Sequence, residues 1–186
     1  MELQLSVNLD DSDKFINQVL EIDSLVYPKE LQGTFESVSE RFHRNKDSYL
    51  LAVNQGIIVG YFCFFPINFE LYQNINTINS FFDDDIKPDQ ILPYGDLNNL
   101  FIISTAIHPD WQNGEAIKLL SQGFRSFILN KEKEKLHINS INCYITSESG
   151  VRLVKRFGMR KMYNINDLYY FYKSDRKSVE NFFYEK

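Results

Sequence analysis

The chain of 186 residues is poor in the features that define several common protein classes. It has only two cysteines, Cys63 and Cys143. Neither has a CxxC partner or a nearby histidine pair, which argues against a disulfide scaffold and against a metal site. Both sit in apolar stretches and read as buried free thiols. No apolar run approaches the ~18 residues needed to cross a bilayer. The N-terminus has no charged-then-apolar signal pattern, so the default expectation is a cytoplasmic protein with no membrane partner. Positive charge is also in deficit: 20 Lys+Arg against 25 Asp+Glu give a net charge of -5 and a pI of about 5.2. Without a long basic block, a nucleic-acid partner is disfavoured. The densest charged run, Lys131-Glu132-Lys133-Glu134-Lys135, alternates in sign and reads as a solvated helix end or loop. His43, His108 and His137 stand apart from one another and read as structural or surface residues. No internal repeat is visible.

Apolar material is plentiful. Hydrophobic residues make up 44% of the chain and aromatics 15%, including 16 Phe and 11 Tyr. At this length that suffices for one packed domain spanning residues 1–186. Leu3, Leu5, Val7 and Leu9 alternate with polar residues as in a half-buried strand, and the caps in Asp10-Asp11-Ser12-Asp13 then open a helix. Phe15, Val19, Ile22 and Val26 recur at helical spacing up to Pro28, and Phe35, Val38 and Phe42 mark a second helix. Tyr49 to Val53 and Ile57 to Phe65 form a hairpin around Asn54-Gln55-Gly56, ended by Pro66. From about Phe69 to Asp96 the pattern dissolves into a long connection, a length usual for functional or mobile segments.

Leu100 to Ile107 reads as a central strand. It stops at His108-Pro109, and after Gly114 a helix follows with Ile117, Leu120, Phe124, Phe127 and Ile128 on one stripe. Ile138 to Ile145 is a strand and Ser147 to Phe157 a helix ended by Gly158. Met159 to Ile165 and Leu168 to Tyr172 make a hairpin around Asn166-Asp167. In the polar tail, Val179, Phe182 and Phe183 can form one more amphipathic turn.

The segment between the central strand and its helix carries the chemistry. A helix start leaves its first N–H groups unpaired and bears about half a positive charge, so a small residue there lets a pyrophosphate reach the backbone. Gly114 and Ala116 supply that clearance.

The stretch from Ile103 to Leu120, with Ile107-His108-Pro109 followed by Gln112-Asn113-Gly114-Glu115-Ala116-Ile117, resembles the cofactor segment of the GNAT superfamily of N-acetyltransferases. Ser147 to Met159 is similar to the later helix of that family, and the order of elements agrees along nearly the whole chain. The resemblance implies an α/β (α+β) acyl-CoA N-acyltransferase fold, with a central mixed, mostly antiparallel sheet of about seven strands flanked by helices. It implies acetyl-CoA, or another acyl-CoA, as co-substrate and an amine of a small molecule or peptide as acceptor, with direct attack in a ternary complex. Gln112, Asn113, Gly114, Glu115, Ala116 and Ile117 would receive the pyrophosphate, and Thr105, Ala106 and Ile107 would pair with the pantetheine arm. The Ile107 N–H would face the thioester oxygen as an oxyanion donor. No metal is implied.

Three departures matter. The loop from Gln112 to Gly114 is one residue shorter than the family pattern, and Glu115 adds a negative charge that is expected to face solvent. Where the family often has asparagine and a thiol-protonating tyrosine, this chain has Ser147 and Val154. Ser147 can cap its helix and offer a hydroxyl to pantetheine, but Val154 has no proton to give. Tyr144 and Tyr163 are the candidate replacements as general acid, and the alternative is a catalytically impaired ligand-binding or interaction module. No glutamate lies within Leu100 to Ile107 to act as base. The acceptor pocket is expected along residues 69–96, where Asp83, Asp84 and Asp85 would attract a cation. A strand exposed by the C-terminal hairpin offers a route to a homodimer.

Overall fold

A computed structural model describes residues 1–6, 12–77, 86–112, 114–165 and 169–184. Val7, Leu9, Asp10, Asp11, Phe81, Phe82, Asp83, Asp84, Asp85, Asn113 and the turn Asn166-Asp167 lie outside the described residues. The order is β1 (Glu2–Leu5), α1 (Ser12–Val26), α2 (Phe35–Arg44), β2 (Tyr49–Asn54), β3 (Ile57–Ile67), α3 (Phe69–Thr77), β4 (Leu97–Ile107), α4 (Glu115–Lys133), β5 (His137–Ile145), α5 (Glu148–Arg156), β6 (Arg160–Asn164), β7 (Tyr170–Asp175) and the single turn α6 (Arg176–Val179). The strands form one seven-stranded mixed sheet in the order β1-β2-β3-β4-β5-β7-β6. β4 and β5 are parallel, and the β1/β2, β2/β3, β5/β7 and β6/β7 pairs are antiparallel. No described helix is long and apolar enough to cross a membrane.

Local chemistry explains the element ends. Thr34 Oγ1 accepts the Ser37 N–H at 3.1 Å while Ser37 Oγ accepts the Thr34 N–H at 3.0 Å, a reciprocal cap that opens α2. Gln55 and Gly56, both at positive φ, make the two-residue turn between β2 and β3. Gly158, at φ +68°, closes α5 while the Met159 N–H returns to the Val154 carbonyl.

By contacts the chain divides into two compact units, Met1–Phe64 with Ser104–Ser126 and Phe65–Ile103 with Phe127–Lys186. In the first, α1 buries Phe15, Ile16, Val19 and Ile22, and Phe15 meets Tyr49 edge-on at 5.0 Å. On the other side of that unit, Phe124 of α4 lies 4.8 Å from both Phe62 and Phe64 of β3. In the second, Tyr144 packs between Phe101 and Phe171, and Phe157 meets Phe182 and Phe183 of the tail. Val179 and Phe183 are fully buried, as their spacing predicts.

Four expectations are corrected. The connection 69–96 is not structureless: it contains α3, which buries Leu71 and Ile75. Two apolar positions one turn apart, among Asn and Gln, were too short a pattern to register. β3 runs through Pro66 to Ile67; proline has no N–H to give the ladder, but its carbonyl accepts the Leu92 N–H at 2.9 Å and the Asn68 N–H reaches the Gln90 carbonyl at 3.0 Å, which carry the pairing past it. β7, Tyr170–Asp175, runs past the expected end at Tyr172, held in register from Ile145↔Tyr170 to Ser140↔Asp175, while Leu168 lies outside the described residues. Finally, the charged run at 131–135 is not wholly solvated. The Glu132 side chain is 15% exposed and receives the Arg176 guanidinium at 2.5 and 3.3 Å, the Ile138 N–H at 2.8 Å and the His137 ring at 2.8 Å.

Candidate functional site

The end of β4, the turn after it and the start of α4 all belong to the first unit. The start of β3 lies against the end of β4, with the His108 N–H donating to the Val59 carbonyl at 2.9 Å. A Cβ on Gly60 would come within 2.5 Å of the terminal Cδ1 of Ile107 and 3.1 Å of the Ala106 carbonyl, a close approach that the glycine eases. Along a strand, the N–H and C=O of alternate residues point to the same side. His108 and Ala106 therefore turn towards β3, while Thr105 and Ile107 turn their backbone groups to the opposite edge. The ladder with β5 ends at Ile102↔Cys143, and β4 continues past it to Ile107.

The turn is tight. Pro109–Trp111 forms a 3-10 turn in which His108 Nδ1 accepts the Asp110 N–H at 3.3 Å and the His108 carbonyl accepts from Trp111 at 2.8 Å. Gln112 Nε2 returns to the Ile107 carbonyl at 3.1 Å, tying the turn to the strand end. Gly114 has φ +91°, a conformation costly for any residue with a Cβ, and a Cβ there would meet nothing within 4 Å. The Lys118 N–H donates to the Gly114 carbonyl at 3.2 Å, which makes Gly114 the cap of α4. The amides of Glu115, Ala116 and Ile117 thus form the first turn, whose N–H groups have no acceptor within the helix. Ala116 is fully buried, whereas the Glu115 side chain is exposed, as anticipated for a carboxylate directed to solvent.

A chain of hydroxyl groups, unseen in the sequence, leads to this strand. Asp23 on α1 is 4% exposed. One carboxylate oxygen accepts a short hydrogen bond from the Tyr61 hydroxyl of β3, and the other accepts the Gly33 N–H at 3.3 Å. The Tyr61 hydroxyl lies 2.7 Å from Ser104 Oγ, which lies 3.1 Å from the Tyr27 hydroxyl. The Tyr27 hydroxyl donates to the Thr105 carbonyl at 2.8 Å and accepts the Thr105 N–H at 3.3 Å. Burial raises the Asp23 pKa above the ordinary carboxylate value, an effect partly offset by the Tyr61 and Gly33 hydrogen bonds and by the charge of Arg41. Two signals were available in the sequence: an acidic residue on the apolar stripe of α1, and Ser104-Thr105 interrupting an otherwise apolar strand.

The other candidate residues lie in the second unit. Ser147 caps α5, accepting the Gly150 N–H at 3.1 Å. The Tyr144 hydroxyl oxygen is buried, with its ring between two phenylalanines. The Tyr163 hydroxyl donates to the Ile75 carbonyl at 2.5 Å; burial raises its pKa, and a hydrogen bond with Tyr144 lowers it in part. Burial pushes the Cys63 thiol up to about 12 and the Cys143 thiol higher, so neither is a thiolate at neutral pH. Val154 is 3% exposed, a core residue. Val154→Tyr is therefore expected to destabilise the protein by about 1–3 kcal/mol through overpacking, rather than to install an acid. Chemical denaturation checks this, and an unchanged midpoint would show that the site has room.

No protein-family model and no curated protein sequence matches this chain. Solved structures do. A GNAT-like decarboxylase, GphF, in complex with isobutyryl-CoA is similar with a TM-score of 0.64 and 11% identity, covering 94% of this chain and 99% of that one. The loading GNATL domain of CurA from Lyngbya majuscula has a TM-score of 0.64 and 13% identity, covering 95% and 98%. A ribosomal-protein-alanine N-acetyltransferase from Brucella melitensis has a TM-score of 0.54 and 14% identity, covering 94% and 99%. At these identities the likeness establishes the fold.

Proposed function

We propose that this chain, which has the GNAT fold, is an acyl-CoA-dependent N-acyltransferase that passes an acetyl or related acyl group to an amine of a small molecule or peptide. The observation that carries the reading is the start of α4. A glycine at φ +91° and a buried alanine keep side-chain bulk small at the first turn of the helix, immediately after a strand that outruns its parallel partner. A pyrophosphate placed there meets N–H donors and the positive end of a long helix. The residues proposed to receive it are Gln112, Asn113, Gly114, Glu115, Ala116 and Ile117, of which Glu115 is exposed. The GphF structure, with its bound isobutyryl-CoA, supports an acyl-CoA ligand for the fold.

The pantetheine arm lies along the edge of β4 that presents the Ile107 N–H; both backbone groups of Thr105 on that edge are engaged by the Tyr27 hydroxyl. With the Tyr27 hydroxyl on Thr105, the Ile107 N–H is the donor for the thioester oxygen, fixed before the reaction and aimed where charge develops. The amine lone pair attacks the thioester carbon and the C–S bond breaks. The CoA thiolate takes the proton lost by the attacking nitrogen. The step uses no metal.

Buried Val154 favours a second reading, a fold that binds acyl-CoA without transferring from it. A thiol-release assay with acetyl-CoA and a panel of primary amines separates the two. The transferase reading predicts release above the hydrolysis background for at least one amine; binding without any such release leaves the binding module.

A further inference from the structure

We propose that the acceptor amine is deprotonated through a relay of three hydroxyl groups, Tyr27, Ser104 and Tyr61, that ends on the buried carboxylate of Asp23. This inference rests on the transferase reading and supplies the base that β4 itself lacks.

All four side chains are joined by the contacts given above, without a gap that would need a water. The terminal hydroxyl, that of Tyr27, is held by both backbone groups of Thr105, while the other three groups lie behind it. Thr105 and Ile107 present their N–H groups to the same edge, about 6.6 Å apart along the strand. A nitrogen attacking a carbonyl whose oxygen sits on the Ile107 N–H therefore comes within reach of a hydroxyl fixed on Thr105.

The proton inventory closes. The acceptor binds as an ammonium and gives one proton to Tyr27 Oη. Tyr27 turns its O–H from the Thr105 carbonyl to Ser104 Oγ and passes that proton on, Ser104 passes its own to Tyr61 Oη, and Tyr61 to Asp23 Oδ1, which ends as a neutral carboxylic acid. The free amine forms the C–N bond as the C–S bond breaks, and its second proton goes to the thiolate. Asp23 then returns its proton to solvent before the next turnover.

The surroundings suit a proton acceptor that must stay charged until it is used. Asp23 is felt by Arg41 from α2 and by Tyr49, Tyr61 and Cys63 from β2 and β3. Burial keeps those two phenols and that thiol neutral, so Arg41 is the charged neighbour and it favours the carboxylate. Tyr27 is the proton-transferring group; Ser104, Tyr61 and Asp23 act through it.

The test uses acetyl-CoA with two small acceptors at neutral pH: butylamine, which is an ammonium, and hydroxylamine, which is already neutral. Ser104→Ala cuts the relay at its centre without touching Asp23. It is expected to lower kcat with butylamine by about a hundredfold, the size of a lost general base, and to change hydroxylamine turnover less than about threefold. Acetyl-CoA affinity by calorimetry should stay constant, and Ser104→Thr, which restores a hydroxyl, should recover butylamine turnover. In the alanine variant, kcat/KM for butylamine should rise with pH as the amine itself deprotonates, whereas the wild-type profile should be flatter. Tyr61→Phe is the second variant, with the same expected selectivity. Equal losses with both amines would overturn the relay and leave the transferase standing. Wild-type protein that binds acetyl-CoA but acylates neither amine would overturn the relay together with the transferase reading.

Discussion

Gly114→Glu is expected to weaken acetyl-CoA binding by at least about a hundredfold. Two effects add. At φ +91° any side chain strains the backbone by about 1–2 kcal/mol, which weakens binding to the extent that the free turn relaxes out of the conformation the ligand needs. A carboxylate about 4 Å from a phosphate also repels it by roughly 4 kcal/mol at an effective dielectric of 20. Gly114→Ala separates the contributions, since its Cβ meets nothing within 4 Å and adds no charge. Its loss should stay near tenfold. Calorimetric titration measures both, and an unchanged affinity in the glutamate variant would place the phosphates elsewhere.

Phe124→Ala should cost about 3–5 kcal/mol of stability, the usual range for emptying a buried aromatic site. Phe124 is fully buried and stands 4.8 Å from the rings of Phe62 and Phe64, so its removal leaves two aromatic partners facing a void. In a chain of this length the loss corresponds to a fall in Tm of roughly 10 °C. The ring also seats α4 on β3 two helical turns past the proposed phosphate cradle, so affinity for acetyl-CoA should fall with stability. A Tm within about 2 °C of wild type would mean that the core collapses around the gap.

The sequence was most legible where one periodicity governed a long segment. The stripe Ile117, Leu120, Phe124, Phe127, Ile128 placed α4, and the apolar run ending at Ile107 placed the end of β4, because burial alone decides such elements. Ser147 as a cap was readable for a local reason too: a single residue satisfies the helix end. α3 was missed because its buried face is only Leu71 and Ile75.

The hydroxyl chain was missed for a different reason. Asp23, Tyr27, Tyr61 and Ser104 come from α1, the segment after it, β3 and β4, and only tertiary packing brings them together. Each residue alone looks ordinary: an acid on a helix, two of many tyrosines, a serine in a strand. Tyr144, by contrast, is a candidate replacement acid by its place in a strand, yet its hydroxyl oxygen is buried and its ring lies between core aromatics. Position along the chain says little about which phenol faces a reacting group.

The most direct measurement is the backbone amide spectrum of ¹⁵N-labelled protein, titrated first with pantetheine and then with acetyl-CoA. Acetyl-CoA should move the amides of Gly114, Glu115, Ala116 and Ile117 together with those of Thr105 and Ile107, whereas pantetheine, which has no diphosphate, should move only the strand pair. Saturable binding of acetyl-CoA that leaves the Gly114 to Ile117 amides unmoved would contradict the account.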